Sequence, residues 1–273
     1  MKRKQTLVIF FLVICIGLNA QVAPELPNTT DIETCFPDTT TYTIITVGPF
    51  GRDYTDLQLA INAANMGSIL VLDAGVSFNG SFSLPEKTGN GWIILTSSKM
   101  NLLPGQGDRI EPDEPTGNLS YPLQRDALPK IITTNLSGLP CFKTVGAAHH
   151  YRFVGLEIGV DPSVLNSYGL MFLGDGSSAQ NTLSKVPHDI IVDRCYIHGH
   201  TNATIMKGGV LLNCAKSAVV ESHISDFHSI GYDTYAIAGT NGPGPFIIRN
   251  NYLEAAGENI LFGGAAPAIS STW

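Results

Sequence analysis

Four stretches of this chain align without gaps: RFVGLEI at Arg152–Ile158, IVDRCYI at Ile191–Ile197, AVVESHI at Ala218–Ile224 and IIRNNYL at Ile247–Leu253. Their first residues, 152, 191, 218 and 247, are offset by 39, 27 and 29. Each heptapeptide has an apolar second residue (Phe153, Val192, Val219, Ile248) and an apolar, β-favouring last one (Ile158, Ile197, Ile224, Leu253). The fifth is small or an amide in three of the four: Cys195, Ser222 and Asn251. Between them lies a second set of strand-like segments, Gly169–Gly174, Gly209–Cys214, Tyr235–Gly239 and Glu258–Gly264. A unit of strand, turn, strand and loop thus recurs with a period near 27 residues.

One such unit cannot bury its own apolar side, but stacked units share a continuous core. Equivalent strands would lie about 4.8 Å apart in a parallel ladder, and fifth-position side chains could hydrogen-bond along the stack. An antiparallel sandwich would instead show hairpin signals every 8–12 residues or so, and the sequence lacks them. The fold class expected is all-β, a parallel β-helix solenoid.

Working outward, Tyr42–Val47, Ser68–Leu72, Ser81–Leu84, Trp92–Thr96 and Lys130–Thr133 are earlier strand candidates. Residues 54–65 (YTDLQLAINAAN) are the one amphipathic helix, with Leu57, Ile61 and Ala64 on a face and Asp53 or Thr55 as N-cap. This helix is expected to cap the solenoid's N-terminal end. A polar, Pro/Gly-rich insertion at 97–129 and extra loops at Asp161–Asn166 and Asp175–Pro187 are candidates for lining a binding face. Residues 21–41 read as an extended lead-in, and 42–273 as the β-helix domain.

Residues 1–20 read as a signal peptide: Lys2, Arg3 and Lys4, then an apolar run of 12 residues from Leu7 to Leu18, then Asn19-Ala20 before Gln21. That run is short of the ~20 residues of a membrane span, so the expectation is a secreted or periplasmic protein with no membrane attachment after cleavage. A composition of 44% hydrophobic and 14% charged residues, with 28 Gly and 16 Pro, excludes disorder and disfavours a helical bundle. The formal charge of −7 argues against a nucleic-acid partner, which needs clustered Lys and Arg. Cys35, Cys141, Cys195 and Cys214 lack C-x-x-C spacing, so they make no zinc motif. Cys195 and Cys214, in strand-like runs, read as buried small hydrophobes.

The segments YTDLQLAINAAN and GSILVLDAGVSFNGSFSLPEKTGNGWIILTSS resemble bacterial secreted right-handed parallel β-helix repeat proteins of the pectin-lyase-like superfold. So do HHYRFVGLEI, PHDIIVDRCYIHG, VVESHISDFH and NGPGPFIIRNNYLEAAGENILFGG. The resemblance covers roughly residues 45–270. It implies a right-handed helix and, by analogy with lyases, polygalacturonases and tailspikes of that superfold, a protein that cleaves or binds acidic polysaccharide. Relatives continue for several coils beyond GENILFGG, so a C-terminally truncated sequence is expected.

A polysaccharide lyase needs a base and a cation or metal to neutralise the uronate, whereas a hydrolase needs two carboxyl groups. The richest cluster is His198, His200, His223, Asp226, His228 and Asp233. From it His198, His200, His228 and Asp226, together with Lys207, are the catalytic candidates. Arg249, Tyr232 and Tyr235 are the substrate-binding candidates. Calcium is the cofactor candidate, through Glu254, Glu258 and Asn259, although no fixed-spacing motif supports a metal. Arg194 and Glu221, both fourth in their repeats, are expected to form an outward ion pair between coils. His149-His150 reads as a structural turn. Two functions remain open: a polysaccharide lyase (a hydrolase ranks behind it), or a non-catalytic glycan-binding solenoid.

Overall fold

A computed structural model describes residues 25–269. Residues 1–20, read above as a signal peptide, and Ser271–Trp273 lie outside the described residues. The chain winds as a parallel β-helix whose three walls are parallel sheets. The first sheet runs Thr43–Val47, Ser68–Leu72, Ile93–Ser97, His149–Val154, His188–Asp193, Ala215–Val220, Gly244–Arg249. The second runs Ser77–Asn79, Lys130–Thr133, Glu157–Val160, Tyr196–His198, His223–Phe227, Tyr252–Ala255. The third runs Phe82–Leu84, Phe142–Thr144, Met171–Gly174, Gly208–Asn213, Tyr235–Gly239, Glu258–Phe262. A separate antiparallel strand pair, Pro115–Asn118 with Tyr121–Leu123, is a hairpin inside the long insertion.

The aligned heptapeptides are in register: Arg152 faces Ile191, Ile191 faces Ala218 and Ala218 faces Ile247. Each, however, is two strands around a corner. Its first three residues end a first-sheet strand, and its sixth and seventh belong to the second sheet. The fourth residue makes the bend in the left-handed region, with φ of 64° at Gly155, 48° at Arg194, 53° at Glu221 and 52° at Asn250. Gly155 takes this conformation freely, whereas the other three are held there against their Cβ preference. The fifth residue turns inward and the stack closes by hydrogen bonds. Cys195 N donates to Ser222 Oγ (3.1 Å), Ser222 N to Asn251 Oδ1 (2.9 Å), and Asn251 Nδ2 to the Val219 carbonyl (2.8 Å).

Inside, Phe153, Val192 and Val219 from the first sheet meet Ile158, Ile197 and Ile224 from the second and Met171, Val210 and Ile237 from the third, all fully buried. Complete burial of such a side chain contributes about 1.5–3 kcal/mol. Cys141, Cys195 and Cys214 sit in this core as free thiols, and burial pushes each up to about 12.

A second apolar cluster lies on the outer face of the first sheet, where Ile32 of the lead-in packs with Trp92, Ile94, Val154, Ile191, Ala218 and Val220. The lead-in is fixed there by Arg152, which is fully buried and donates to the carbonyls of Glu33, Thr34 and Cys35. Arg152 also pairs with buried Asp193 (3.1 Å), and Asp193 accepts from Arg194 Nε (2.8 Å). The expected Arg194–Glu221 pair therefore does not form. At the corner Arg194 takes Asp193 (2.8 Å) and Glu221 takes Arg249 (3.0 Å) instead, with Arg194 covered by the long insertion.

The helix spans Leu57–Ala63, shorter than expected, because Tyr54 bridges to Val47 and Ala64 is already extended. Its N-cap is Asp56, which accepts from Leu59 N (2.9 Å), while Asp53 accepts from Thr46 instead. Leu57, Ala60 and Ile61 join the core, and Gln58 both accepts from Ser83 N (2.7 Å) and donates to its carbonyl (3.0 Å) at the third sheet's first strand. No helix among the described residues is long and apolar enough to cross a membrane.

Candidate functional site

Side chains alternate across a strand, so the heptapeptides' seventh residues point into the core and the sixth point out. Register then aligns those sixth residues between coils. Lys130 faces Glu157, Glu157 faces Tyr196, Tyr196 faces His223, and His223 faces Tyr252. Five rungs at about 4.8 Å make a row about 19 Å long on the outer face of the second sheet.

The row is linked side chain to side chain. Glu157, almost fully buried, holds Lys130 Nζ at 3.5 Å from one oxygen and His198 Nε2 at 3.2 Å from the other. His198 Nδ1 faces the Gly199 carbonyl at 2.8 Å, so both ring nitrogens are engaged. The Tyr196 ring stacks on His198 with centroids 4.3 Å apart, and His223 stacks on Tyr252 at the same separation. Tyr196 and His223 meet edge to face at 5.5 Å. Burial, reinforced by the negative charges of Asp226 and Glu157, pushes the Tyr196 phenol up to about 12. Burial also holds His223 below the ordinary imidazole value, with Glu111 opposing that effect. His223 Nδ1 is buried without a hydrogen-bond partner, 3.6 Å from Glu111 Oε2. Burial among aromatic rings thus disfavours the charged form of His223.

The long insertion forms one rim. It crosses the stacked corners, where the Pro104 carbonyl accepts from Arg194 (2.9 Å), Ile110 N donates to the Glu221 carbonyl (3.0 Å) and Asn250 Nδ2 donates to the Gly107 carbonyl (3.0 Å). It then delivers Arg109, paired with Glu111, and Arg125, paired with Asp113 at 2.8 Å.

The residues singled out from sequence distribute over several places. His198 belongs to the row. Asp226, with φ of 66°, is the extra residue where pairing with Tyr252–Ala255 shifts, and it lines a shallow 310 Å³ depression with Thr201, His228 and Glu254. His200 and His228 fasten loops, their Nε2 atoms lying 2.9 Å from the Val164 carbonyl and 3.1 Å from the Ala203 carbonyl. Lys207 sits 5.7 Å from the Tyr232 ring centroid and 5.9 Å from that of Tyr235. Tyr235 also lines a separate 410 Å³ groove on the third sheet, with Lys143, Phe172, Leu211 and Leu261. Arg249 stays with Glu221 at the corner. Glu157, Lys130 and Glu111 were not singled out, although the heptapeptides' sixth column (Glu157, Tyr196, His223, Tyr252) carried the signal.

No family model and no curated protein matches the chain. Among solved structures it is similar to a pectin methylesterase from Aspergillus niger, at 10% identity and a TM-score of 0.44, over 86% of this chain and 71% of that one. It is also similar to an alginate lyase from Paenibacillus sp. str. FPU-7, at 12% identity and a TM-score of 0.34, over 82% of this chain and 99% of that one.

Proposed function

We propose that this is an exported protein that binds an acidic polysaccharide along the second-sheet row and cleaves it by β-elimination. The observation that carries the reading is the row itself: an unbroken line of cation, carboxylate, tyrosine, histidine and tyrosine matched to an extended polymer. Aromatic faces suit the apolar faces of sugar rings, and Arg109 or Arg125 on the rim would neutralise a uronate carboxylate. His223, neutral near pH 7, would take the proton α to that carboxylate. Tyr196, kept protonated, would give its proton to the leaving glycosidic oxygen as the carbon–oxygen bond breaks and a carbon–carbon double bond forms. Removal of residues 1–20 on export belongs to the same reading.

The test incubates the protein with pectate, alginate and chondroitin, with and without EDTA, and follows ultraviolet absorbance of unsaturated products. Activity on one of them, reduced about 10²-fold or more by His223→Ala or Tyr196→Phe, is the expected result. A non-catalytic glycan-binding face is the second reading, favoured by His198 having both nitrogens engaged. Retained binding with no unsaturated product from any of the three would establish it instead.

A further inference from the structure

The first sheet carries a second cluster, which the row does not use. Two residues before the heptapeptides the backbone bends into the left-handed region at three successive coils, with φ of 55° at His150, 52° at Asp189 and 44° at Lys216. None of these is glycine, so the bends stack side chains outward at one place. His149 and His188, each preceding its bend, face one another in register, and their rings stack 4.9 Å apart and 5° from parallel. His150 turns its Nδ1 to within 2.9 Å of His149 Nδ1, and His188 Nδ1 bonds Asp189 Oδ2. Lys216 reaches away toward Asp31 (3.9 Å).

We propose that His150, His188 and Asp189 bind a divalent transition-metal ion, with zinc the best fit. Their ligating atoms all lie within 4.8 Å of one another, and among the described residues they are the group of three or more His, Cys, Asp or Glu that meets this condition. A tetrahedral zinc with bonds of about 2.0–2.1 Å needs ligands about 3.4 Å apart, so rotations of about 1 Å close the set. Two imidazoles with one carboxylate suit a borderline first-row ion rather than calcium, which takes oxygen ligands. The imidazoles must be neutral to ligate. All three side chains are half-buried, which leaves a fourth position for water or for His149. The ion would tie two adjacent coils together on the wall where the lead-in docks, since Glu33 accepts from Trp92 Nε1 (3.1 Å) and the Trp92 ring lies 5.1 Å from His150.

Trp92 supplies the readout. The chain has two tryptophans, so tag-free full-length protein carrying Trp273→Phe reports Trp92 alone. Titration with Ni²⁺ or Cu²⁺ should quench its fluorescence saturably at one equivalent, and Zn²⁺ should compete. Zn²⁺ in large excess over its Kd should also raise the thermal midpoint by about 5 °C or more. His150→Asn and Asp189→Asn keep a residue tolerant of positive φ while changing the ligand, and each should weaken binding at least tenfold. His198→Ala, on the other face, should bind as the parent does. Absence of saturable quenching, or equal affinity in the His150 and Asp189 variants, overturns the proposal.

Discussion

The buried Asp193 carboxylate invites the sharpest perturbation. It is fully inaccessible and holds two guanidinium groups, Arg152 at 3.1 Å and Arg194 at 2.8 Å. Asp193→Asn keeps the volume but leaves two cations in a poorly solvated site without their counter-charge. Breaking a buried pair costs about 3–5 kcal/mol, a factor of about 10²–10⁴ in the folding equilibrium. At a urea slope of about 3 kcal/mol/M, the midpoint should fall by about 1–1.7 M. Arg152→Met should cost less, because Asp193 then retains Arg194 and the carbonyls of Glu33, Thr34 and Cys35 can turn to water. The two changes should not add: Arg152→Met combined with Asp193→Asn strands one cation rather than two, and should be more stable than Asp193→Asn alone. Being buried, the interaction should respond little to salt. Urea unfolding followed by circular dichroism at two ionic strengths measures all of this. A midpoint for Asp193→Asn within 0.3 M or so of the parent, or a double variant less stable than that single one, would refute the charge argument.

Three further outcomes are expected. Under native conditions a thiol reagent should modify Cys35 but spare Cys141, Cys195 and Cys214, which are buried and hold their protons to about 12; peptide mass mapping before and after denaturation reads this. Asn251→Ala removes the acceptor of Ser222 N and the donor to the Val219 carbonyl, and should lower stability by about 1–3 kcal/mol in chemical denaturation. Stability should fall as pH drops below the ordinary imidazole value of 6.5, because burial holds His150 and His223 lower in the folded chain while the unfolded chain takes up their protons. His223→Asn should flatten that fall in thermal melts across pH 7 to 5; an unchanged slope would mean His223 contributes nothing to it.

The solenoid was legible because its periodicity is a packing requirement: each coil must repeat inward-facing apolar residues at matched positions, and four heptapeptides do so in the register observed. The corner inside each heptapeptide was not legible. Gly155 alone signals a left-handed residue, while Arg194, Glu221 and Asn250 adopt the same conformation because neighbouring coils and the insertion hold them there. The same blindness produced the expected Arg194–Glu221 pair, since the corner sends Arg194 to Asp193 and Glu221 to Arg249 rather than setting the two side by side. His198 was recognisable by type, yet its partner Glu157 lies 41 residues earlier in the chain, and only the stacking brings them together. His200 and His228 share the chemistry of catalytic histidines, but their carbonyl partners come from loops whose path no local pattern encodes.

The corner also links architecture to chemistry. The residue that bends the chain stands two positions before the one that enters the row, so the bend decides which side chains face outward. A strand shifted by one residue would exchange Tyr196 and His223 for Ile197 and Ile224. The insertion grips those same corners through Arg194, Glu221 and Asn250, and the segment that follows brings Arg109 and Glu111 to His223. The position of the rim charges over the row is therefore set by hydrogen bonds at the corner, where Ile110, between Arg109 and Glu111, donates to the Glu221 carbonyl two residues before His223. Asp226 marks where this order ends: the pairing with Tyr252–Ala255 slips at that residue, and Asp226 and His228 line a separate depression.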